Sequence, residues 1–367
     1  MRFRAAILER VGGPLIVDAI ELEALAPGDV LIRLGASGLC HTDLEVIEGE
    51  LAYPLPIVLG HEGAGTVEEV GSAVTLVSPG DKVIASWNPN CGHCFYCDRD
   101  QPILCEPFTR HQPRGLLLDG STRLKWQGSP LHHFSVVSSH AEYCVVPESG
   151  AVPVPKEIPD YVACLIGCGV MTGVGAACRL AQVAAGSIVA VIGAGAVGLN
   201  VIQGARLQRA ERIVVIEPDA KRRALGLKLG ASDAIDPNAD DAIAAVKRIG
   251  VERGADYVFE CAGRDQTMRA AFEMARPGAE IVILGKVNVN RDVAFRFGSM
   301  MGEKKLIRSS YGGARPRRDF PWLARLYLDG VLDLESLVTE RIGLADINSG
   351  FDRMRKGETI RSVVEMG

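Results

Sequence analysis

Two hydrophobic patterns divide this chain. Up to Gly150, short apolar runs of strand length are separated by turn residues. Residues 5–8, 15–17 and 30–34 have strand character, the last entered through the turn Pro27-Gly28-Asp29, and residues 66–71 and 81–85 read as strands around Ser78-Pro79-Gly80. Residues 44–49 suit a short helix, and Tyr53-Pro54-Leu55-Pro56 is a stiff connector into the apolar residues 57–59. Residues 107–139 show no clear period; a hairpin turn is predicted at 118–122, and strand character returns at 141–146. This half reads as a compact β-rich unit. An uncharged run, residues 162–178, is expected to be a packed loop leading into a helix at 173–181; its glycines and its length argue against a membrane span.

Beyond Gly173 the apolar runs alternate with helical periodicity. Residues 187–192, 212–216, 257–260 and 280–284 read as strands, and 199–207, 220–229, 239–248 and 266–275 as helices. Such alternation predicts a parallel, doubly wound sheet, so the fold class is α/β. The pattern breaks at Tyr311-Gly312-Gly313; an amphipathic stretch at 320–328 and a strand at 360–364 follow, the latter suited to rejoining the first half. The turn Gly193-Ala194-Gly195-Ala196-Val197-Gly198 is weak evidence alone, because a glycine turn with a surface glutamate would look the same. Here it follows a strand, opens a helix and meets Glu217 19 residues after its last glycine, which is the dinucleotide-binding context. The glycines allow a pyrophosphate close to a helix N-terminus. Glu217 would accept hydrogen bonds from ribose hydroxyls and repel a 2′-phosphate, favouring NAD over NADP; Arg222 nearby softens that preference.

Three further stretches carry chemistry: Gly38-Leu39-Cys40-His41-Thr42-Asp43, Gly60-His61-Glu62-Gly63 and Gly167-Cys168-Gly169. Two thiolates and an imidazole are the protein ligands of an open catalytic zinc. Separately, Cys91-Gly92-His93-Cys94-Phe95-Tyr96-Cys97 is followed by Cys105 after seven intervening residues. Four thiolates in one lobe match a closed structural zinc. An iron–sulfur cluster shares the opening spacing but expects its fourth cysteine sooner and a proline after it, where Glu106 stands. A redox cysteine pair would leave two cysteines over. His93 is expected to face solvent, and His132 and His133 read as surface histidines rather than a ligand pair. Cys144, Cys164, Cys178 and Cys261 sit in apolar surroundings and read as small core residues. A formal net charge of −5 over 367 residues gives no basis for nucleic-acid or membrane partners, and the length suits two domains. The ten cysteines raise the question of a disulfide framework; their clustering, and the absence of an apolar signal core in residues 1–10, point instead to metal and a reducing cytoplasm.

With these motifs in this order, the chain resembles the zinc-dependent medium-chain alcohol dehydrogenases over essentially its full length. The resemblance implies a β-rich GroES-like catalytic domain, residues 1–169 and 310–367, bearing a structural zinc lobe at 91–105 and split around a Rossmann NAD-binding domain, residues 170–309. It implies two zinc ions per chain, one on Cys40, His61 and Cys168 and one on Cys91, Cys94, Cys97 and Cys105. Glu62 would lie behind the catalytic metal within transient reach, and Asp43 would orient His61. His41 and Arg361 would contact the cofactor pyrophosphate and Arg222 the adenosine ribose. Thr172, Gly193, Gly195, Val197, Gly198 and Glu217 would complete the NAD site. Thr42 would carry the alcohol proton into a relay ending on water or on Glu45, which stands where the animal enzymes have histidine. Trp87, Phe134 and Leu51 would line the alcohol pocket. The segment from Gly115 to Phe134 is similar to the insertion of the longer, usually dimeric members, which implies a homodimer. The activity implied is reversible hydride transfer from a primary alcohol, benzylic ones included, to NAD, giving an aldehyde. One alternative is a thiol-conjugated formaldehyde dehydrogenase. The glutathione-dependent members carry arginine four residues after the last structural cysteine, where this chain has Thr109 beside Arg110, so another thiol is expected. The other alternative is a non-catalytic zinc- and nucleotide-binding protein on the same fold.

Overall fold

Strand Asp29–Gly38 is buried at every residue but Arg33 and Gly35 in the computed structural model, which describes residues 1–367. Burial on both faces lets this strand pair with three others, Glu62–Val70, Tyr143–Pro147 and Arg361–Glu365, all antiparallel. They form a seven-stranded sheet with Ala151–Pro153 and Lys82–Ala85 at one end and Val338–Gly343 at the other. A closed five-stranded barrel accompanies it, in the order Arg2–Leu8, Ile16–Leu22, Leu124–Trp126, Ser129–His133, Ile57–Val58. Sheet and barrel belong to one unit, Met1–Cys168 with Arg315–Gly367; the second unit is Gly169–Ala314. Gly169 and residues 310–314, assigned above to the first domain, therefore fall in the second unit. Gly312 lies against the helix Met171–Gly175, so close that a Cβ there would come within 2.4 Å of the Thr172 carbonyl.

The segment 107–139 is more ordered than its sequence pattern suggests. It holds most of a helix, Glu106–His111, and a hairpin of Leu124–Trp126 with Ser129–His133. The hairpin turn is Gln127-Gly128, with φ of 51° and 79°, the pair of left-handed conformations that a two-residue turn requires. The turn at 118–122 exists, with the Gly120 N–H on the Leu117 carbonyl at 2.9 Å, but it closes only its own loop. His133 is buried, contrary to the surface position expected; strand alternation turns Leu131 and His133 inward together. His93 is exposed.

Residues 162–172 are helix rather than loop, and the helix expected from Gly173 continues the same run. The helical run Asp160–Leu180 contains two π-segments, Ile166–Val170 and Ala176–Leu180. It is long and apolar enough to cross a membrane, yet 83% of its most apolar window is buried inside the protein, as befits a core helix.

The second unit is a six-stranded parallel sheet in the order Asp233–Ile235, Arg212–Ile216, Ile188–Ile192, Ala255–Glu260, Ala275–Ile283, Lys305–Arg308. The chain starts in the centre, runs to one edge and returns across to the other, the order of a dinucleotide-binding Rossmann sheet. The sequence pattern misses the two short edge strands, Asp233–Ile235 and Lys305–Arg308.

Candidate active site

The register of the first unit's sheet assembles the site. Gly38 pairs with Glu62 on one side and Val363 on the other, so a single strand end gathers Cys40, His61, Glu62 and Arg361. Helix His41–Glu48 begins directly after Cys40 and ends at Gly49, whose φ of 80° gives it a left-handed cap. Cys168 comes from the first π-segment of the long helical run, an irregularity often found where a helix serves a site. The donor atoms of Cys40, His61, Glu62 and Cys168 all lie within 4.8 Å of one another. Two thiolates on a tetrahedral zinc stand roughly 3.8 Å apart, so this spread fits one ion.

Asp43 holds the imidazole. Its Oδ1 accepts from His61 Nδ1 at 3.2 Å and from the Gly60 N–H at 3.0 Å, and its Oδ2 accepts from the Cys40 N–H at 3.1 Å. With Nδ1 engaged, His61 presents Nε2 to the cluster, 4.0 Å from Glu62 Oε1. Gly60 has φ of +90°, and a Cβ there would meet the His140 backbone nitrogen at 2.5 Å, so no other residue fits. Glu62 is fully buried; its Oε1 takes the Arg361 guanidinium at 2.6 Å, and Arg361 Nη1 donates to the Leu39 carbonyl at 2.7 Å. Arg361, assigned by resemblance to the pyrophosphate, thus also binds Glu62 and the backbone behind the cluster, its strand Arg361–Glu365 lying inside the sheet.

The electrostatics suit a cation. The hydrogen bond from Cys168 and the charges of His61 and Arg361 hold the Cys40 thiol well below its ordinary range despite burial. Cys168 is pushed up by that same hydrogen bond and by burial. For His61, burial opposes charge, but Asp43 and the Cys40 thiolate outweigh it and the pKa rises. Burial pushes Glu62 up to about 7 against the pull of Arg361. One thiolate, a second thiol, an imidazole and a buried carboxyl form a donor set that a divalent ion would satisfy.

Thr42 Oγ1 lies 3.9 Å from Cys40 Sγ. Glu45 is half-buried on the same helix, and His41 is exposed at its start. Phe134 is fully buried and meets the His61 ring edge-on at 5.5 Å; Tyr53 in turn meets Phe134 edge-on at 5.0 Å, its hydroxyl taking a hydrogen bond from Gln112. Tyr53 belongs to the connector Tyr53-Pro54-Leu55-Pro56, and the signal in the sequence that marks it for this site is its place two residues after Leu51. Trp87 and Leu51 are half-buried against the core that contains Phe134, and Trp87 also packs on Phe108 at 6.3 Å.

Cys91, Cys94, Cys97 and Cys105 bring their sulfurs within 4.8 Å of one another. The Cys91 N–H points at Cys105 Sγ at 3.3 Å, and the Glu106 N–H at Cys94 Sγ at 3.5 Å. Although desolvation opposes charge, the backbone N–H groups of Glu106 and Cys97 and the Cys97 side chain bring the Cys94 thiol down to about 6. An all-sulfur set with no open position fits a structural zinc.

In the second unit Gly195 caps helix Ala196–Leu207, which carries Val197 and Gly198 in its first turn. A Cβ on Gly198 would lie 1.9 Å from the Gly193 carbonyl oxygen, which fixes that position as glycine. Glu217, at the end of strand Arg212–Ile216, accepts from the Ala194 N–H at 2.7 Å and the Asp219 N–H at 3.0 Å. It is therefore anchored to the glycine turn. The Arg222 N–H caps on Asp219 at 2.8 Å, while its neighbour Arg223, not singled out from sequence, binds the carbonyls of Glu217 and Pro218 at 2.7 Å each. Thr172 is buried in helix Met171–Gly175.

Known proteins match this arrangement. Residues 26–156 match the alcohol dehydrogenase GroES-like domain family, and residues 196–329 the zinc-binding dehydrogenase family. An S-(hydroxymethyl)glutathione dehydrogenase of Escherichia coli O1:K1 is 38% identical over 99% of this chain and 100% of its own length. An alcohol dehydrogenase zinc-binding domain protein from Burkholderia ambifaria superposes with a TM-score of 0.96 at 33% identity, covering 100% of this chain and 99% of the other. Benzyl alcohol dehydrogenase from Acinetobacter calcoaceticus does so with a TM-score of 0.94 at 29% identity, covering 100% of both chains. The chain belongs to the zinc-dependent medium-chain alcohol dehydrogenases, oxidoreductases that act on CH–OH groups.

Proposed function

We propose that this enzyme oxidises primary alcohols, benzylic ones included, to aldehydes with NAD. The observation carrying the choice of alcohol is the half-buried wall of Tyr53, Trp87 and Leu51 packed on the core around Phe134, the ring that meets the metal ligand His61 edge-on. A flat aromatic substrate is complementary to such a wall. The likeness to benzyl alcohol dehydrogenase supports the same choice. Zinc, when bound, supplies Lewis acidity and lowers the pKa of the substrate hydroxyl. The chain's own groups do the rest. Thr42 receives the hydroxyl proton and passes it toward Glu45 or water, Asp43 fixes His61, and Glu217 selects NAD. Exposed Phe297, Met300, Met301 and Leu306 lie on the edge strand Lys305–Arg308 or in the short segment before it and support a homodimer. None of the ten cysteines is in a disulfide, which supports a cytoplasmic setting.

The test is NADH formation with primary, benzylic and secondary alcohols, with and without added thiols. Thiol-independent turnover, highest on benzylic alcohols, is expected. Higher activity on bulky secondary alcohols would overturn the choice. A second reading has its own support in the 38% identical S-(hydroxymethyl)glutathione dehydrogenases: oxidation of a formaldehyde–thiol adduct. Strict dependence on formaldehyde plus a low-molecular-weight thiol would put that reading first.

A further inference from the structure

We propose that His140 is a positioning residue for the catalytic zinc, acting through Asp43 on His61. The proposal rests on the zinc site, not on the alcohol chosen as substrate. His140 is fully buried and faces the other carboxylate oxygen of Asp43: its Nε2 is 3.8 Å from Asp43 Oδ2, while His61 Nδ1 is 3.2 Å from Asp43 Oδ1. Asp43 is thus a carboxylate between two imidazoles, one a metal ligand and one not. His140 Nδ1 meets Ser37 Oγ at 3.0 Å, and Ser37 Oγ meets Ser139 Oγ at 2.7 Å. Nε2 has no hydrogen-bond partner.

The tautomer follows from these neighbours. Burial keeps His140 neutral, its pKa pushed down to about 4, so one ring nitrogen carries the only N–H. A lone pair facing a buried carboxylate would be repelled; an N–H would be attracted. The proton therefore sits on Nε2, and Nδ1 accepts from the Ser37 hydroxyl, which in turn accepts from Ser139. At 3.8 Å the N–H is a dipole aimed at the carboxylate in dry surroundings, where such an interaction is strong. It holds Asp43 in the rotamer that addresses His61. Packing makes the arrangement stiff: the ring meets Phe351 edge-on at 5.9 Å, and a Cβ on Gly60 would lie 2.6 Å from His140 Nδ1.

His140→Phe keeps an aromatic ring against Phe351 and removes the N–H; His140→Gln keeps a donor at the Nε2 position and removes the ring. Zinc release to a chromogenic chelator and the visible spectrum of the cobalt-substituted protein separate the two roles, with the four-cysteine zinc as an internal control. Release of the catalytic zinc should quicken about tenfold in His140→Phe and stay within about threefold in His140→Gln, the scale of outer-sphere changes at zinc sites. The cobalt bands should shift only in His140→Phe. Equal release and an unchanged spectrum in His140→Phe would overturn the proposal, as would loss in His140→Gln alone, which marks packing as the role. If His140→Phe does not fold, Ser37→Ala serves: it frees the tautomer without touching the ring, and unchanged zinc release in it would also overturn the proposal. A wild-type protein holding only the four-cysteine zinc would overturn the metal site itself, and this role with it.

Discussion

The two metal clusters of the first unit hold their donors in opposite ways. Cys91, Cys94, Cys97 and Cys105 come from one lobe, three of them half-buried, and their sulfurs are met by neighbouring backbone N–H groups. Cys40, His61 and Cys168 come from three separate stretches, and the groups behind them, Asp43, Glu62, Arg361 and His140, are buried side chains. The first cluster needs only its own loop. The second needs the register of a whole sheet, and in exchange its surroundings can be tuned side chain by side chain.

Substitutions should break the two differently. Cys168→Ser should remove one zinc per chain and lower kcat roughly a thousandfold or more, since the Lewis acid is lost, with little change in melting temperature; metal analysis with steady-state kinetics reads both. Thr42→Ala should lower turnover at least about a hundredfold, the scale of one proton-transfer group, while both zinc ions stay bound. Cys97→Ser should also remove one zinc, but its cost should fall on stability, upwards of about 3 kcal/mol, with turnover per folded molecule changing far less. If Cys97→Ser and Cys168→Ser lost stability and turnover in the same proportion, the contrast between a folding zinc and a reacting zinc would fall.

Outside both clusters the effects should be smaller. Glu217→Asn should raise the preference for NADP relative to NAD by about tenfold, or about 1.4 kcal/mol, read from kcat/KM for each cofactor. Burial holds His133 neutral, with its pKa pushed down to about 3. Below its ordinary value of about 6.5 the unfolded chain binds a proton that the folded chain refuses, so stability falls as pH falls. His133→Gln should flatten that loss by up to about 1.4 kcal/mol per pH unit, measured by urea unfolding at about pH 7 and about pH 5.

What was legible in the sequence follows the same contrast. The four-cysteine lobe and the glycine turn with Glu217 are local, so spacing alone proposes them. The three catalytic donors could be named because each sits in a short glycine-flanked motif. Their supports could not. His140 lies in a polar run with no period, and its meaning depends on Ser37 and Asp43 arriving from another strand and a helix. The Arg361 contact with Glu62 exists only because Val363 pairs with Gly38. Glycine content made residues 162–172 look like a loop, yet in the buried interior they form a continuous helical run that includes the π-segment Ile166–Val170. His133 was misplaced because two adjacent histidines suggest a polar surface, whereas a strand sends neighbours to opposite faces.

The strand Arg361–Glu365 has a consequence for how the molecule is made. It completes the sheet of the first unit, yet it is translated after every strand of the second unit. The later-encoded Rossmann unit is free to fold first. Cys40 and His61, translated early, wait as an open thiol and imidazole until Arg361 arrives to close over Glu62. The full set of side chains around that centre is therefore assembled later in synthesis than the four-cysteine lobe, whose donors are all encoded in one short segment.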